Sequence, residues 1–277
     1  MAGISSESLS AALKELEAEL PHATLSLAQE LFGILAAVDS SAGLRRSLTD
    51  VSRSGTEKSE LVARLFGGKV SAQAVAITSA LAASRWAAAR DIGDALETLA
   101  ATVAIAVAEN RSATAAEATG LTGLEQLEND LFSFNRSVDS SHEIQRALTE
   151  PQAGAAAKTE LAHKLVPEAG DEAKLLIGQA VSHPRGAKPT KLVDTFAALA
   201  AARQQRWIGS VSVSRPLTPA QTERLQSGLN SLYGRELKIN TTVDPELIGG
   251  VRVRVGDEVV DASTLSKLNN LSRQLAG

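Results

Sequence analysis

The chain has 277 residues, of which 44% are hydrophobic, 3% are aromatic and none is cysteine. The absence of cysteine excludes disulfide-stabilised folds, zinc sites ligated by thiolates, c-type haem attachment and cysteine nucleophiles. With 28 lysine and arginine residues against 32 aspartate and glutamate residues, the formal net charge of −4 gives no general electrostatic reason to bind nucleic acid or anionic lipid.

The N-terminal residues predict a helix and no targeting signal. The segment MAGISSESLS contains neither a basic region nor an apolar run, which argues against a secretory signal or a transit peptide. Leucines then follow at spacings of four, three and four residues, which place Leu9, Leu13, Leu16 and Leu20 on one helix face. Pro21 ends this helix, because proline lacks the N–H group that the helix interior requires.

The same helical periodicity continues to about residue 112. Apolar residues from Leu27 to Val38 mark one helix, and short helices are predicted at 44–51, 56–66 and 72–83. A long helix is predicted from about residue 87 to 110, with one apolar face formed by Ile92, Leu96, Leu99, Val103 and Val107. Its longest uncharged stretch, residues 98–108, is much shorter than the ~20 residues of a membrane span. No direct membrane span is therefore predicted.

Residues 131–165 repeat residues 31–65 without a gap. Of these 35 aligned positions 13 are identical, including the Val-Asp-Ser-Ser run at 38–41 and 138–141. The other identities are Leu31/Leu131, Phe32/Phe132, Arg46/Arg146, Leu48/Leu148, Thr49/Thr149, Lys58/Lys158, Glu60/Glu160, Leu61/Leu161 and Leu65/Leu165. After a short gap the parallel resumes where Glu97-Thr98 faces Asp194-Thr195. One fold unit of about 90 residues therefore occurs twice.

This repeat predicts two tandem six-helix-type bundles with cores of alanine and leucine. The first bundle is placed at residues 1–112 and the second at 120–208, and the small, polar residues 111–122 between them are typical of a linker or a frayed helix end. In the second copy the apolar residues at helical spacing are Leu124, Leu127, Leu131, Phe134 and Val138, followed in the last helix by Leu192, Phe196 and Leu199.

Beyond residue 206 the hydrophobic period changes from 3.6 to 2, which predicts a small β-α-β-β-α module at 209–277. Val211 and Val213 alternate with serine, and the segments 237–243 and 251–255 alternate in the same way. Between them Thr218 and Gln221 predict a capping box at the start of a helix. The predicted fold class is thus mainly α, with two helical bundles followed by an α+β module.

Signatures of catalysis, metal binding and nucleic-acid binding are weak throughout. The histidines lack the spacing of metal ligands and are interpreted as surface or packing residues: His22, His142, His163 and His183. The Gly67-Gly68-Lys69 sequence lacks the other residues of a phosphate loop, and a helix end is the simpler interpretation. The C-terminal module has only Tyr233 for stacking, so no nucleic acid is expected. We predict no catalytic residues, no cofactor and no metal.

The segment VDPELIGGVRVRVGDEVVDASTLSKLNNL, residues 243–271, resembles the C-terminal region of the delta subunit of F-type ATP synthases, whose mitochondrial relative is the oligomycin-sensitivity-conferring protein. The motif positions that match are Gly249, Gly250, Arg254, Gly256, Asp257, Asp261 and Ser263, whereas Ala262 stands where the family usually has glycine. An ordinary member has one helical bundle, and duplication of that bundle resembles actinobacterial delta chains.

The resemblance implies a non-catalytic stator subunit in the peripheral stalk, on the cytoplasmic face of the cell membrane. It implies two partners, the N-terminal helix of an ATP synthase α subunit, held by a bundle, and the b-type stalk subunits, met by the C-terminal module. The second bundle stands in the usual place beside that module, so its apolar residues are the candidate partner groove: Leu127, Leu131, Phe134, Leu192 and Phe196. These residues suit a bundle core equally well, and the motif residues of the module suit a structural role as well as a stalk contact. A general helical adaptor or chaperone-like scaffold is the alternative function, and an enzyme with a dispersed site is a third.

Overall fold

The computed structural model describes residues 3–113, 120–205, 208–233, 237–244, 247, 249–255 and 258–261. The chain divides into two compact units, residues 1–200 and 201–277. The first unit is helical and the second contains a small sheet, so the predicted fold class, mainly α with a small α+β module, is confirmed. Within the described residues, no helix combines the length and the apolar character that a membrane crossing demands.

Helices of the first unit follow the repeat seen in the sequence. The first copy contains α1 (Ile4–Leu16), α2 (Leu25–Ser40), α3 (Ala42–Thr49), α4 (Gly55–Phe66), α5 (Ala72–Ala83) and α6 (Asp91–Ala113). The second copy contains α7 (Gly120–Asp139), α8 (His142–Thr149), α9 (Ala155–Leu165), α10 (Asp171–Ser182) and α11 (Pro189–Gln205). Helices α2 to α6 thus correspond in order to α7 to α11.

Local signals in the sequence explain where these helices begin. The hydroxyl of Ser41 accepts a hydrogen bond from the Leu44 N–H, and the repeated Ser141 caps α8 in the same way. Ser54 and Glu57 form a capping box at the start of α4. These caps satisfy backbone N–H groups that have no partner inside the helix, so each helix start is fixed by its own sequence.

The long helix α6 is shared by the two copies. It packs against α1, α2 and α5 of the first copy and against α7 and α10 of the second. Most of its middle is buried, and only Thr102 and Val107 are partly exposed between residues 99 and 108. The buried residues are each at most 1% exposed: Leu99, Ala100, Ala101, Val103, Ala104, Ile105, Ala106 and Ala108. The C-terminal half of α6 stands, by the repeat, where α1 stands in the first copy, and its contact with α10 parallels that of α1 with α5.

The second unit is a four-stranded mixed sheet with one described helix. Its elements are β1 (Ile208–Val213), α12 (Pro219–Tyr233), β2 (Lys238–Val243), β3 (Val251–Val255) and β4 (Glu258–Asp261). The strand order is β2-β1-β3-β4, with β1 parallel to β2 and antiparallel to β3, and β3 antiparallel to β4. Its core consists of Val211, Val213, Leu229, Leu237, Val253 and Val255.

The predicted module is recovered with one addition. The Thr218 and Gln221 side chains form the predicted capping box, and Pro219 is the first residue of α12. The strand β4 joins the sheet as a fourth strand, pairing with β3 from Glu258 to Asp261. The predicted last helix lies outside the described residues.

Candidate partner-binding site

The five predicted groove residues lie in the core of the second copy. Leu127, Leu131 and Phe134 on α7 and Leu192 and Phe196 on α11 are all buried, and none is more than 7% exposed. Large apolar side chains at these positions hold the two helices together by removing their surface from water. A partner helix that meets this part of the chain as it stands would therefore contact mainly the residues beside them, and of the five only Leu131 also lines the surface groove there.

A surface groove runs between α7 and α11 directly beside the buried residues. Its volume is about 460 Å³, and its apolar lining is formed by Leu131, Phe132 and Ala197. Polar side chains form the rest of the lining: Glu128, Asn129, Asn135, Arg136, Asp139, Thr190 and Asp194. The Asn135 Nδ2 atom donates to the Thr190 carbonyl and to Asp194 Oδ1, so the two helices are tied together beneath the groove.

Phe132 is the exposed apolar residue of this groove. Its side chain is 64% exposed, whereas Phe32, the equivalent residue of the first copy, is only 5% exposed. Both residues are phenylalanine at the same place in the repeat, yet among the described residues only Phe32 is covered by its neighbours. Exposed aromatic residues beside a groove are typical of protein–protein contact sites.

A second groove lies in the first copy, between α1 and α5. Its volume is about 670 Å³, and its apolar lining consists of Ala12, Leu16, Ala76, Ile77, Ala80 and Leu99. Small alanine side chains on both walls permit the close approach of another helix backbone. The polar residues of its lining are Glu15, Glu19 and Gln73. This groove was not predicted from the sequence, because its alanines fall between the leucines that mark the core faces.

The described residues of the C-terminal motif lie on strands β3 and β4 or directly before β3. Gly250 has a φ of +84°, a conformation that a residue with a Cβ atom rarely adopts, so glycine suits the turn before β3. Arg254 is exposed on β3, opposite Ser210 of β1 and Val259 of β4. Gly249 is half-buried beside Gly250, and Asp261 ends β4. Gly256, Asp257 and Ser263 lie outside the described residues.

An ionic cluster joins the two copies. Arg185, in the loop between α10 and α11, extends to the first copy, where its Nε atom lies 2.6 Å from Asp39 Oδ2. Its Nη1 atom lies 2.8 Å from Asp94 Oδ1 and 3.2 Å from Glu97 Oε2. Arg185 has a φ of +50°, an uncommon conformation for a residue with a side chain. The guanidinium lies over Gly93, where a Cβ atom would come within 2.5 Å of Arg185 Nη2.

Burial and charge together set the protonation of this cluster. Burial raises the pKa of Glu97, and the charge of Arg185 offsets that effect only in part. Burial alone would lower the pKa of Arg185, but the carboxylates of Glu97, Asp39 and Asp94 outweigh burial and raise it. The Glu97 Oε1 atom is buried without a hydrogen-bond partner. Arg185 thus joins the two copies, and Arg185 with Asp39, Asp94 and Glu97 is called the ionic clasp below.

Two of the described histidines make contacts with neighbouring polar groups. Among the described residues, no group of three or more histidine, aspartate or glutamate side chains is arranged to hold a metal ion. His163 Nε2 lies 3.1 Å from the Lys174 carbonyl, and His183 Nδ1 lies 2.8 Å from the Ser182 hydroxyl. These are packing contacts of the kind expected for histidines outside a metal site.

Sequence reasoning singled out neither Phe132 nor Arg185. The repeat predicts equal environments for Phe32 and Phe132, because identical residues stand at the same place in the two copies. Only the structure reveals that Phe32 is buried and Phe132 is exposed. Arg185 gave no local signal, because Asp39 precedes it by 146 residues and Glu97 by 88.

Comparison with known proteins gives consistent matches. A family model described as ATP synthase delta (OSCP) subunit matches residues 109–275. The "ATP synthase subunit delta" of Arthrobacter sp. (strain FB24) is 73% identical over 277 residues, covering 100% of both chains. The protein of the same name from Pseudarthrobacter chlorophenolicus is 69% identical, again over 100% of both chains. One chain of the cryo-EM structure of the Toxoplasma gondii mitochondrial ATP synthase hexamer is 15% identical, with a TM-score of 0.31, covering 64% of this chain and 97% of that one.

Proposed function

Since the chain belongs to the ATP synthase delta (OSCP) subunit family, we propose that it is a non-catalytic stator subunit in the peripheral stalk of an F-type ATP synthase. In this role it joins the catalytic head to the membrane-anchored b-type subunits and resists rotor torque during proton-driven ATP synthesis. It would sit on the cytoplasmic face of the cell membrane as a peripheral part of the complex.

The observation that carries this proposal is the full-length identity of 73% to a protein named ATP synthase subunit delta. The first unit supports it, since two copies of a bundle pack on one largely buried helix and each copy has a groove at its surface. A part that transmits force needs packed interfaces, and close-packed interiors of this kind deform little.

The groove between α7 and α11 is the proposed site for the N-terminal helix of the α subunit. An amphipathic helix laid in this groove would cover Phe132 with one of its apolar anchors, while its polar face meets the mixed charges of Glu128, Arg136 and Asp194. The first copy already buries the equivalent Phe32. An interface of standard size, about 1,600 Å² in total, would hold such a helix.

The C-terminal module is the proposed contact of the b-type subunits. Its exposed apolar residues are Leu232 on α12, Val243 on the edge strand β2 and Val259 on the edge strand β4. The exposed Arg254 adds positive charge beside Val259. Edge strands and exposed apolar residues together are typical of surfaces that pair with another chain.

The test of this proposal is removal of the subunit from its own complex. We expect the chain to co-purify with the α and β subunits of the ATP synthase, and its depletion to leave ATP hydrolysis by the head active while proton pumping into inverted vesicles is lost. Re-addition of the purified chain should restore pumping. A purified complex that lacks this chain, or pumping that survives its complete removal, would contradict the stator role. Capture with an unrelated set of proteins would favour a general adaptor.

A further inference from the structure

The two copies contain equivalent notches, of which one is filled and one is open. The first notch lies between the end of α2, helix α3 and the start of α6, and it contains the guanidinium of Arg185. The second notch lies between the end of α7, helix α8 and the start of α11, and it is a cavity of about 370 Å³. A side chain from elsewhere in the chain thus occupies one of two similar sites.

The equivalence of the notches follows from sequence and burial. Four residues that line the second notch, Asp139, Arg146, Leu148 and Thr149, are identical to their first-copy equivalents. These equivalents are Asp39, which contacts Arg185 in the first notch, and Arg46, Leu48 and Thr49 on helix α3. The third wall also matches. When residue 97 is aligned with residue 194, α6 and α11 have buried residues at equivalent positions. The matching buried pairs are Ile92/Pro189, Ala95/Leu192, Leu96/Val193, Leu99/Phe196 and Val103/Ala200. Gly93, over which Arg185 lies, corresponds to Thr190 in the lining of the second notch.

The charged residues around the second notch differ from those around the first. In the first notch Asp94 and Glu97 face Arg185, whereas Lys191 stands at the position equivalent to Asp94, and the equivalent of Glu97, Asp194, accepts a hydrogen bond from Asn135. Arg45, which pairs with Asp39 in the first notch, corresponds to the neutral Gln145.

The second notch therefore presents cations over an apolar floor. Arg146, Lys188 and His142 line it, with Asp139 as the carboxylate of the lining. Within the described part of the chain, no ion pair engages Arg146 or Lys188, and both are exposed. The apolar lining consists of Val138, Leu148 and Pro189.

We propose that the second notch docks an aspartate or glutamate side chain of another polypeptide, as the first notch docks Arg185. The apolar floor would receive the methylene groups of that side chain, and Arg146 and Lys188 would pair with its carboxylate. A polypeptide is favoured as the source because the occupant of the equivalent notch is an extended side chain from a loop. The inference rests on the proposed function, because the partner is sought in the assembled ATP synthase.

Zero-length cross-linking in the purified complex tests this docking directly. A carbodiimide joins a lysine amine to a carboxylate only when the two are in contact, so Lys188 should become linked to an aspartate or glutamate of another subunit, as identified by mass spectrometry. Lys188→Arg keeps the positive charge but has no reactive amine, so the cross-link should disappear while the complex still assembles. Cross-links from Lys188 only to carboxylates of this chain, or none at all, would overturn the inference.

Charge reversal supplies a second and independent measurement. Arg146→Glu should weaken rebinding of the chain to a complex depleted of it by about tenfold, because the variant places two like charges together. Arg46→Glu is the matched control, since Arg46 is the equivalent exposed residue beside the notch that Arg185 already fills. Its effect should stay below about twofold, and equal losses for the two variants would contradict a specific role for the second notch.

The outcomes separate this inference from the stator role. If the chain is present in the complex and needed for pumping, but Arg146→Glu does not weaken its rebinding, the proposed docking in the second notch is wrong and the stator role is unaffected. Absence of the chain from the complex would count against both. If Arg146→Glu instead abolished binding to vesicles containing phosphatidylglycerol while the cross-link was absent, the notch would be a lipid-headgroup site and the protein partner would be rejected.

Discussion

At the scale of single residues, Arg185 shows why the ionic clasp could not be predicted. Its partners Asp39, Asp94 and Glu97 are distant in sequence, and each is an ordinary charged residue at a helix surface in the linear pattern. Only tertiary packing brings three carboxylates around one guanidinium. By contrast, Ser41, Ser141 and Thr218 act on residues three positions away, and the predicted capping box at Thr218 was found in the structure.

Replacing Arg185 with methionine should destabilise the first unit by about 2–4 kcal/mol, because it leaves the buried Glu97 without a cation, whereas Asp39 and Asp94 keep Arg45 and Arg90 as partners. Adding Glu97→Gln to Arg185→Met should recover part of that loss, since an amide carries no charge to desolvate. Urea unfolding followed by circular dichroism would measure the free energies of unfolding. Arg64→Met, at an exposed position on α4, is the control and should change stability by less than about 0.5 kcal/mol. A strictly additive double variant would show that the two side chains are not coupled.

The same pair predicts a pH dependence. Burial holds the pKa of Glu97 above its unfolded value, so between these two values the folded chain binds more protons than the unfolded chain. Lowering the pH through that window therefore stabilises the fold with respect to this group. The loss caused by Arg185→Met should accordingly be smaller at pH 5 than at pH 7, because a protonated Glu97 needs no cation. An equal loss at both pH values would contradict the assigned role of Glu97.

At the scale of elements, the helical period predicted where most helices lie but understated what α6 does. The sequence predicted one apolar face along this helix, whereas most of its middle is buried, including the alanines outside that face. Alanines on its other faces look neutral in a hydrophobicity pattern, and they become core residues only when α7 and α10 pack on them. The predicted groove residues have the same ambiguity, since Leu131 and Phe134 on α7 satisfy a core pattern and the exposed Phe132 between them interrupts it.

Phe132→Ser should weaken binding of a synthetic peptide with the sequence of the α-subunit N-terminal helix by roughly ten- to thirtyfold, measured by calorimetry, because the groove loses its aromatic contact. Val51→Ser, which removes an even more exposed apolar side chain elsewhere, should leave the affinity unchanged. Ala80→Glu places a charge in the groove between α1 and α5. If Ala80→Glu abolished binding and Phe132→Ser had no effect, the helix site would belong to the first copy.

At the scale of the whole molecule, the duplication was evident in the sequence but the sharing of a helix was not. An ungapped repeat reveals that a unit occurs twice, yet it contains no information on how the copies pack. The structure places residues 1–200 in one compact unit, with α6 in contact with both copies. The change of period near residue 206 did predict the strands that begin at Ile208, because strands and helices repeat at different intervals.

Two truncated chains test this shared core. A chain of residues 120–277 lacks α6 and should expose the faces of α7 and α10 that pack on it, so we expect no cooperative thermal unfolding of its helices. A chain of residues 91–277 retains α6 and should recover a cooperative transition. Circular dichroism and calorimetry would compare the two. Equal cooperativity in both chains would show that the second copy needs nothing from α6.

The double use of α6 also limits how this protein can change over generations. A gene that carries two independent copies of a domain can lose one by a single deletion and keep the other intact. Here a deletion that removed the first copy together with α6 would strip the second copy of a helix on which it packs. The second copy therefore depends on a helix that the first copy also uses, and this favours retention of both copies.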